Sequence, residues 1–363
     1  MKLTIFIGGL SGGGAERVVC NLANYLTEHG HVIEILTMSD EPASYELDKS
    51  IKRISLLYHT ENYGFIYNSF IRLMRLRKYM KVSDTEEYLV MLPVTIALLL
   101  SQKKTTKAPI IVSERCDPAH RPKLFQIFLT HMMKKASGFV FQTEEAKEWY
   151  AQYLSNMDYK IIPNSVDISQ LGVGCVDSEK RKSIVGVGRL TGQKRFDLLI
   201  KAFAKVHNLH KDYQLTIYGE GELRSELEEM ICRLKLDDYV FLPGYINNVA
   251  EKLASASIFV LSSDFEGMPN ALIEAMALGL PCIATDCPVN GPRSLIEDGV
   301  NGILINTGDE DLLVKAILCL IEDKYLAEKI GENAMKIRYV LSPEIIYGKW
   351  NEFLESRIRL KRE

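Results

Sequence analysis

Apolar positions along the chain form two alternating kinds of run. The first kind is short and unbroken: LTIFI (3–7), HVIEILT (31–37), EYLVML (87–92), APIIVS (108–113) and GFVFQT (138–143). Such runs, rich in Val, Ile and Leu, predict buried strands. The second kind has helical spacing, as at Val18, Val19, Leu22, Ala23 and Leu26, with Gly30 where a C-terminal cap belongs. This alternation predicts an open α/β sheet. It breaks at YKIIPNSVDISQLGVGCVDSEKR (159–181), where Pro163, Asn164, Gly172 and Gly174 cluster, and this stretch reads as an interdomain linker. The alternation then restarts. SIVGVG, YQLTIYG, YVFLPG, SIFVLSS and PCIAT are strands, and FDLLIKAFAKVHN, ELRSELEEMICRLK, NVAEKLASA and ALIEAMALG lie between them. Two doubly wound domains result, 1–165 and 166–342, followed by a helix from about Pro343 to the end. In such sheets ligands meet the carboxyl ends of the strands, so the site is expected in a cleft between two facing domains.

Composition narrows the picture. At about 100–200 residues per domain, 363 residues suit two domains. A net charge of -3 supplies no bulk basic field, so nucleic acid is not an expected partner. The seven cysteines lack paired spacing, and Cys282 and Cys287 have no companion ligands, so no metal site is expected. Scattered cysteines predict a reduced, intracellular protein. The apolar start is too short for a signal peptide. The longest apolar stretch, residues 88–100, is interrupted by Pro93 and falls short of the roughly 20 residues that span a bilayer.

Three stretches can carry chemistry. GGLSGGGAER (8–17) is a glycine loop ahead of a helix start, which favours an anion. It misses the G-x-G-x-x-G dinucleotide spacing, because position 17 is Arg17. GRLTGQKR (188–195) places Arg189, Lys194 and Arg195 after a strand, where a diphosphate could be held. FEGMPNALIEAMALGLP (265–281) sets Glu266 before a helix start and Glu274 one turn inside it. Pro269 suits the first turn, and Gly267 to Ala271 should present free amides. A carboxylate beside a phosphate repels it, so both glutamates read as acceptors for sugar hydroxyls.

These residues carry a resemblance. Glu266 and Glu274, with seven residues between them, match the E-x7-E motif of retaining glycosyltransferases. Gly188, Arg189, Leu190 and Lys194 resemble the phosphate-binding loop of glycosyltransferase family 4. GGLSGGGAE, IIPNSVD, IYGEGELRSELE, FLPGYINNV and EDGVNGILI follow in that family's order, so the resemblance covers essentially the whole chain. It implies a GT-B fold, two facing Rossmann-like domains, with the final helix returning to the first. It also implies retaining transfer without a metal or other cofactor. Arg189 and Lys194 then hold the diphosphate of a UDP-sugar, Glu266 the donor sugar and Glu274 the ribose. Gly13, Gly14, Gly188, Ile246, Gly267, Met268, Pro269, Asn270 and Ala271 complete the donor pocket. Charge on the leaving diphosphate is stabilised electrostatically, and a donor phosphate oxygen takes the acceptor's proton.

One position departs from the family. Where many members carry His after a first-domain strand, this chain has Glu114 and Arg115. A guanidinium is no base near neutral pH, but Arg115 could still contact the donor sugar or a phosphate, with Asp117 and His120 as nearby substitutes or an ordinary Asp-Pro turn. Glu16, Glu114 and Arg115 are expected to contact acceptor or sugar. Residues 65–81 mix Phe70, Leu73, Met74 and Leu76 with Arg72, Arg75, Arg77, Lys78 and Lys81, and HRPKLFQIFLTHMMKK (120–135) is similar. With Arg72, Arg75 and Lys78 as its patch, the first is expected to dock on the inner face of the cytoplasmic membrane. The chain is similar to transferases that build bacterial oligosaccharides, including N-acetylgalactosaminyl transferases. The implied reaction moves a hexose or N-acetylhexosamine to a polyprenyl-diphosphate-linked acceptor in surface polysaccharide, O-antigen or capsule assembly. The alternatives are a sugar-nucleotide epimerase of the same fold and a non-catalytic sugar-nucleotide-binding protein.

Overall fold

The computed structural model describes the chain except residues 62, 172–181, 247–248, 289–290 and 363, and the side chains of 170 and 358–362. It divides into two compact units, Met1–Ser165 with Pro343–Glu363, and Val166–Ser342.

In unit 1 the order is β1 (Lys2–Ile7), α1 (Gly14–Glu28), β2 (Val32–Thr37), β3 (Lys52–Ser55), α2 (Phe65–Val82), β4 (Glu87–Met91) and α3 (Pro93–Ser101). Then come β5 (Ile110–Ser113), α4 (Lys123–Met133), β6 (Gly138–Phe141), α5 (Glu144–Ala151) and β7 (Tyr159–Ile161). The strands form one parallel sheet in the order β3-β2-β1-β4-β5-β6-β7. Its central strands are buried on both faces, which is why they read as unbroken apolar runs. The stripe Val18, Val19, Leu22, Ala23 and Leu26 buries α1, and Gly30 follows it at φ +82°. Thr143 caps α5, its Oγ1 accepting from the Ala146 amide at 3.1 Å.

Unit 2 runs β8 (Ser183–Val187), α6 (Phe196–Leu209), β9 (Gln214–Tyr218), α7 (Arg224–Arg233), β10 (Val240–Gly244), α8 (Val249–Ala254) and β11 (Ile258–Leu261). It continues with α9 (Asn270–Ala277), β12 (Cys282–Thr285), β13 (Ile303–Ile305), α10 (Glu310–Glu322), α11 (Lys324–Ala334) and α12 (Ile337–Val340). The parallel order is β10-β9-β8-β11-β12-β13. The last helix, α13 (Pro343–Arg362), belongs to unit 1 and packs on α1, with the Tyr347 ring 5.4 Å from that of Tyr25, and its Trp350 is fully buried.

Three short edge strands, β3, β7 and β13, were not expected. β7 lies inside the stretch read as linker, where Tyr159–Ile161 pairs with β6. Three residues with two of them exposed leave no apolar run to read. The Gly172 and Gly174 part of that linker lies outside the described residues.

Each sheet reverses its winding at one point, between β1 and β4 and between β8 and β11. Doubly wound sheets bind ligands outside the carboxyl ends of the strands there. At the second reversal the backbone is packed too closely for side chains. A Cβ on Gly219, at φ +147°, would lie 1.9 Å from the Gly188 carbonyl oxygen. The Gly188 amide donates to Tyr218 O at 3.0 Å and the Gly219 amide to Gly244 O at 2.9 Å, which fixes the ends of β8, β9 and β10 together. Gly219→Ala should therefore destabilise unit 2 by about 2–4 kcal/mol, from left-handed strain plus the clash. Urea denaturation measures it, and an unshifted midpoint would show that the strand ends move apart without cost.

Candidate functional site

The residues after β8 and β11 meet at the second reversal. Lys194 closes a single 3-10 turn, Gly192–Lys194, and its stem lies over Gly188, where a Cβ would sit 2.9 Å from the Lys194 Cε. Its Nζ reaches Glu266 Oε1 at 2.5 Å, with side-chain exposures of 15% and 9%. The same oxygen accepts from Ser263 Oγ at 2.6 Å, and Oε2 makes no hydrogen bond among the described residues. Ser263 O in turn accepts from Thr285 Oγ1 at 2.5 Å. Ser262 Oγ donates to Lys194 O at 2.8 Å, and Gln193 Nε2 to Phe265 O at 2.8 Å. The two loops and the end of β12 are thus one hydrogen-bonded assembly. Ser262, Ser263, Gln193 and Thr285 were not singled out from sequence. Only their small polar character beside a strand end signals the role.

Arg189 is exposed and forms no ion pair among the described residues. Arg195, one residue past Lys194, is different. It adopts the left-handed conformation, φ 48°, and bonds Asp197 and Asp264, each at 3.0 Å. Its pKa is raised, mainly by the Asp197 bond, so its charge is spent on holding the loop.

Gly267 to Ala271 form the turn into α9. Pro269 stands at the N-cap rather than inside the first turn, and it offers no side-chain cap. The first amides of α9 have no acceptor within the helix. A Cβ on Gly291 would lie 1.6 Å from Gly267 O, so a second glycine backs this turn. Glu274 is buried within α9, which closes at Gly279, φ +74°. Ile246 lies two residues beyond β10, beside Tyr245, which is 62% exposed.

In unit 1, Gly13 and Gly14 lead from β1 into α1. The Glu16 carboxylate folds back over Gly13, where a Cβ would lie 2.3 Å from its Oε2. That helix start therefore already carries an internal anion.

The Glu114 expectation needs correcting. Its side chain, only 2% exposed with the whole residue, is taken up internally rather than offered to acceptor or sugar. Oε1 accepts from the amides of Arg115 and Cys116, both at 3.0 Å, and from Arg121 Nη2 at 2.7 Å. Oε2 accepts from Arg121 Nη1 at 3.0 Å and Tyr150 Oη at 2.6 Å. Burial and Glu114 together push the Tyr150 phenol pKa up. Burial opposes the charge of Arg121, yet Glu114 outweighs it and the guanidinium pKa is raised. Arg115 points elsewhere. Nη1 donates to Asn164 Oδ1 at 2.8 Å, and its guanidinium carbon lies 5.4 Å from the centre of the Trp350 ring.

The basic patch on α2 is also corrected. Arg72 Nε is spent on Met38 O at 3.1 Å. Arg75 grips both oxygens of Glu61, at 2.5 and 2.6 Å, and Leu56 O at 3.2 Å. The Arg75 bonds hold the Glu61 carboxyl down to about 2. Of the three expected cations, Lys78 alone is exposed, and Arg77 and Lys81 join it. On the same face, one to three turns earlier, Ile66, Phe70 and Met74 are 84%, 57% and 51% exposed. The fourth helix repeats this order, with Leu124, Ile127 and Phe128 exposed first and Lys134 and Lys135 just after it. No helix among the described residues is long and apolar enough to cross a membrane.

Comparison with known proteins agrees with this geometry. Residues 12–170 match the family described as Glycosyltransferase Family 4, and residues 176–337 match Glycosyl transferases group 1. A Campylobacter jejuni "N-acetylgalactosamine-N,N'-diacetylbacillosaminyl-diphospho-undecaprenol 4-alpha-N-acetylgalactosaminyltransferase" is 31% identical over 356 residues, covering 93% of this chain and 94% of that protein. The amylovoran biosynthesis glycosyltransferase AmsD of Erwinia amylovora is 27% identical, covering 97% of this chain and 99% of its own. Among solved structures, Anabaena HepE in complex with UDP and glucose superposes with a TM-score of 0.85 at 18% identity, covering 98% of this chain and 100% of that one. Sucrose-phosphate synthase from Thermosynechococcus elongatus gives 0.83 at 17%, covering 99% of both chains. With the family profiles spanning both units and the Campylobacter relative matching nearly end to end, the chain belongs to glycosyltransferase family 4 and is a glycosyltransferase of GT-B fold.

Proposed function

We propose that this glycosyltransferase moves a hexose or N-acetylhexosamine, of galactose or N-acetylgalactosamine type, from a UDP-sugar to a polyprenyl-diphosphate-linked glycan in bacterial surface polysaccharide assembly. The observation that carries the reading is the Lys194–Glu266 pair beside the exposed Arg189 at the second sheet's reversal. The printed activity of the Campylobacter relative and the polysaccharide role of AmsD support the acceptor class.

In this reading the donor diphosphate lies against Arg189 and Lys194. Phosphate oxygens share the Lys194 ammonium with Glu266, and Ser263 keeps Glu266 in place while they do. As the bond from the sugar to the diphosphate breaks, negative charge grows on the leaving phosphate and these cations stabilise it. A poorly hydrated site strengthens that effect. The acceptor hydroxyl bonds to the sugar on the leaving-group face, and its proton passes to a phosphate oxygen. Two cations supply the charge that a metal would otherwise bring, so transfer should proceed with chelator present. Glu266 takes a sugar hydroxyl and Glu274 the ribose, and the Gly267 to Ala271 turn lies against the donor.

We further place α2 and α4 against an anionic membrane face. The crossovers β3 to β4, β4 to β5 and β5 to β6 all run one way along the sheet. Right-handed crossovers then put α2, α3 and α4 on one face, and α3 packs on α4. Apolar side chains followed by cations on both helices suit insertion beside anionic head groups.

Purified protein should be stabilised by UDP-sugars, and radiolabelled donor with a membrane extract should yield glycolipid. Donor binding with no product from any acceptor favours a non-catalytic binder, and an isomerised sugar nucleotide favours the epimerase. Lys194→Met should lower kcat about 10²–10³-fold. Glu274→Ala should weaken donor binding measured by calorimetry about tenfold, and unchanged affinity would sink the ribose assignment.

Replacing Arg77, Lys78 and Lys81 by Gln should reduce sedimentation with phosphatidylglycerol vesicles about a hundredfold, at roughly 1 kcal/mol per cation. Arg75→Gln should change it little, because that charge is spent on Glu61. Equal losses in both variants would argue against this surface.

A further inference from the structure

Three strand ends of unit 1 bring polar residues together: Arg115 after β5, Gln142 after β6 and Asn164 after β7. Arg115 is 9% exposed, and burial lowers its pKa to about 10, so it remains charged at neutral pH. Neighbouring carboxylates do not pair with it. Glu114, the adjacent residue, is bound up with Arg121 and Tyr150. Asp117 accepts from the Ala119 amide at 2.7 Å and contacts His120 Nδ1 at 2.9 Å. Only Nη1 of the guanidinium is used, by Asn164. Nε and Nη2 are both buried and have no acceptor. Those two atoms form one edge of the guanidinium plane, the fork that takes two oxygens of a carboxylate or phosphate in parallel. The indole Nε1 of Trp350, whose ring lies against Arg115, is likewise buried without an acceptor. A buried charge with at least three of its five N–H donors unmet weakens the fold. It is explained if those donors serve a ligand.

We propose that the Nε–Nη2 edge of Arg115 binds an oxyanion of the substrate, making Arg115 a specificity-determining residue at the carboxyl end of β5. Resting on the reaction proposed above, the source is a phosphate of the acceptor's diphosphate. The same fork accepts a sugar carboxylate, and the experiment separates the two. Because both atoms are closed off from solvent, the oxyanion arrives by displacing the side chains packed over that edge. The bond then forms in a dry setting, where a charge-assisted fork is strong.

The test uses the full chain and its Arg115→Met, Arg115→Lys and Lys194→Met variants. Thermal shift and calorimetry are run with pyrophosphate, a short-chain prenyl diphosphate, a neutral UDP-hexose and a UDP-hexuronate. Arg115→Met should raise the melting temperature of the free protein, since it removes an unmet buried charge. It should also weaken prenyl diphosphate binding about tenfold or more, while Lys194→Met leaves that binding intact. Arg115→Lys, which keeps the charge without the fork, should show the same loss. A loss confined to the UDP-hexuronate also supports the fork and assigns it to a sugar carboxylate. A lowered melting temperature with every probe bound as in the parent would overturn the proposal and leave Arg115 a packing residue. So would diphosphate binding lost only in Lys194→Met. Failure of all sugar transfer would remove the acceptor assignment, yet an Arg115-dependent diphosphate response would still stand.

Discussion

A charge withdrawn from water must be paired, and the arrangement of unit 2 follows from how Lys194 meets that demand. Its stem lies across a glycine because a side chain there would block it, and its ammonium reaches Glu266, a carboxylate that a second loop delivers. Delivering that carboxylate requires β8, β11 and β12 to end at matched heights. Ser262, Ser263, Gln193 and Thr285 tie those ends by hydrogen bonds, and Gly219 lets β9 close in behind. Moving any one of these segments would leave a buried ion without its partner. The pair thus links fold stability to the position of the cation.

Two glutamates show how similar positions acquire opposite roles. Glu114 follows β5 directly, and Glu266 comes a few residues after β11. Both are buried, at 2% and 7% exposure. Glu114 receives five donors spread over both oxygens, including a guanidinium and a phenol. That saturation leaves nothing for a substrate and makes the carboxylate a fastener for the loop after β5. Glu266 receives two donors, both on one oxygen. One of them is a cation suited to a phosphate, and the other oxygen stays available. What separates them is the number of donors that the fold brings to each.

Local pattern made the central strands, the longer helices and the order of the motifs legible. Buried parallel strands must be apolar throughout, and the glycine-rich and charged loops follow their carboxyl ends directly. Edge strands such as β3 and β7 escaped because solvent on one side removes the apolar run. The fate of each ionic side chain escaped for a different reason. Arg75 and Glu61 are fourteen positions apart, and Glu114 and Tyr150 are thirty-six apart. A basic stripe on α2 reads the same whether its cations face solvent or an internal carboxylate. Only the folded chain shows that Arg72 and Arg75 are spent while Arg77, Lys78 and Lys81 are not. Within α9, Pro269 was read one position too deep, a boundary that backbone geometry alone decides.

Sorting the arginines by where their forks point sharpens the difference between scaffold and site. Arg75, Arg121, Arg195, Arg293 and Arg357 each close on a carboxylate: Glu61, Glu114, Asp197 with Asp264, Asp286, and Asp158. Each then acts as a clasp between segments distant in sequence or across one turn. Arg189 and Arg115 do not close in this way, and both follow strand ends, of β8 and β5. Arg189 is exposed, so its charge is solvated at little cost, and in the proposed reaction it meets the donor diphosphate. Arg115 is buried, so its unmet edge weakens the resting fold. A residue kept at such a cost is accounted for by an interaction formed only with substrate bound, the condition under which binding energy serves specificity. The end of β5 thus carries a fixed cationic fork in place of a group that titrates near neutral pH.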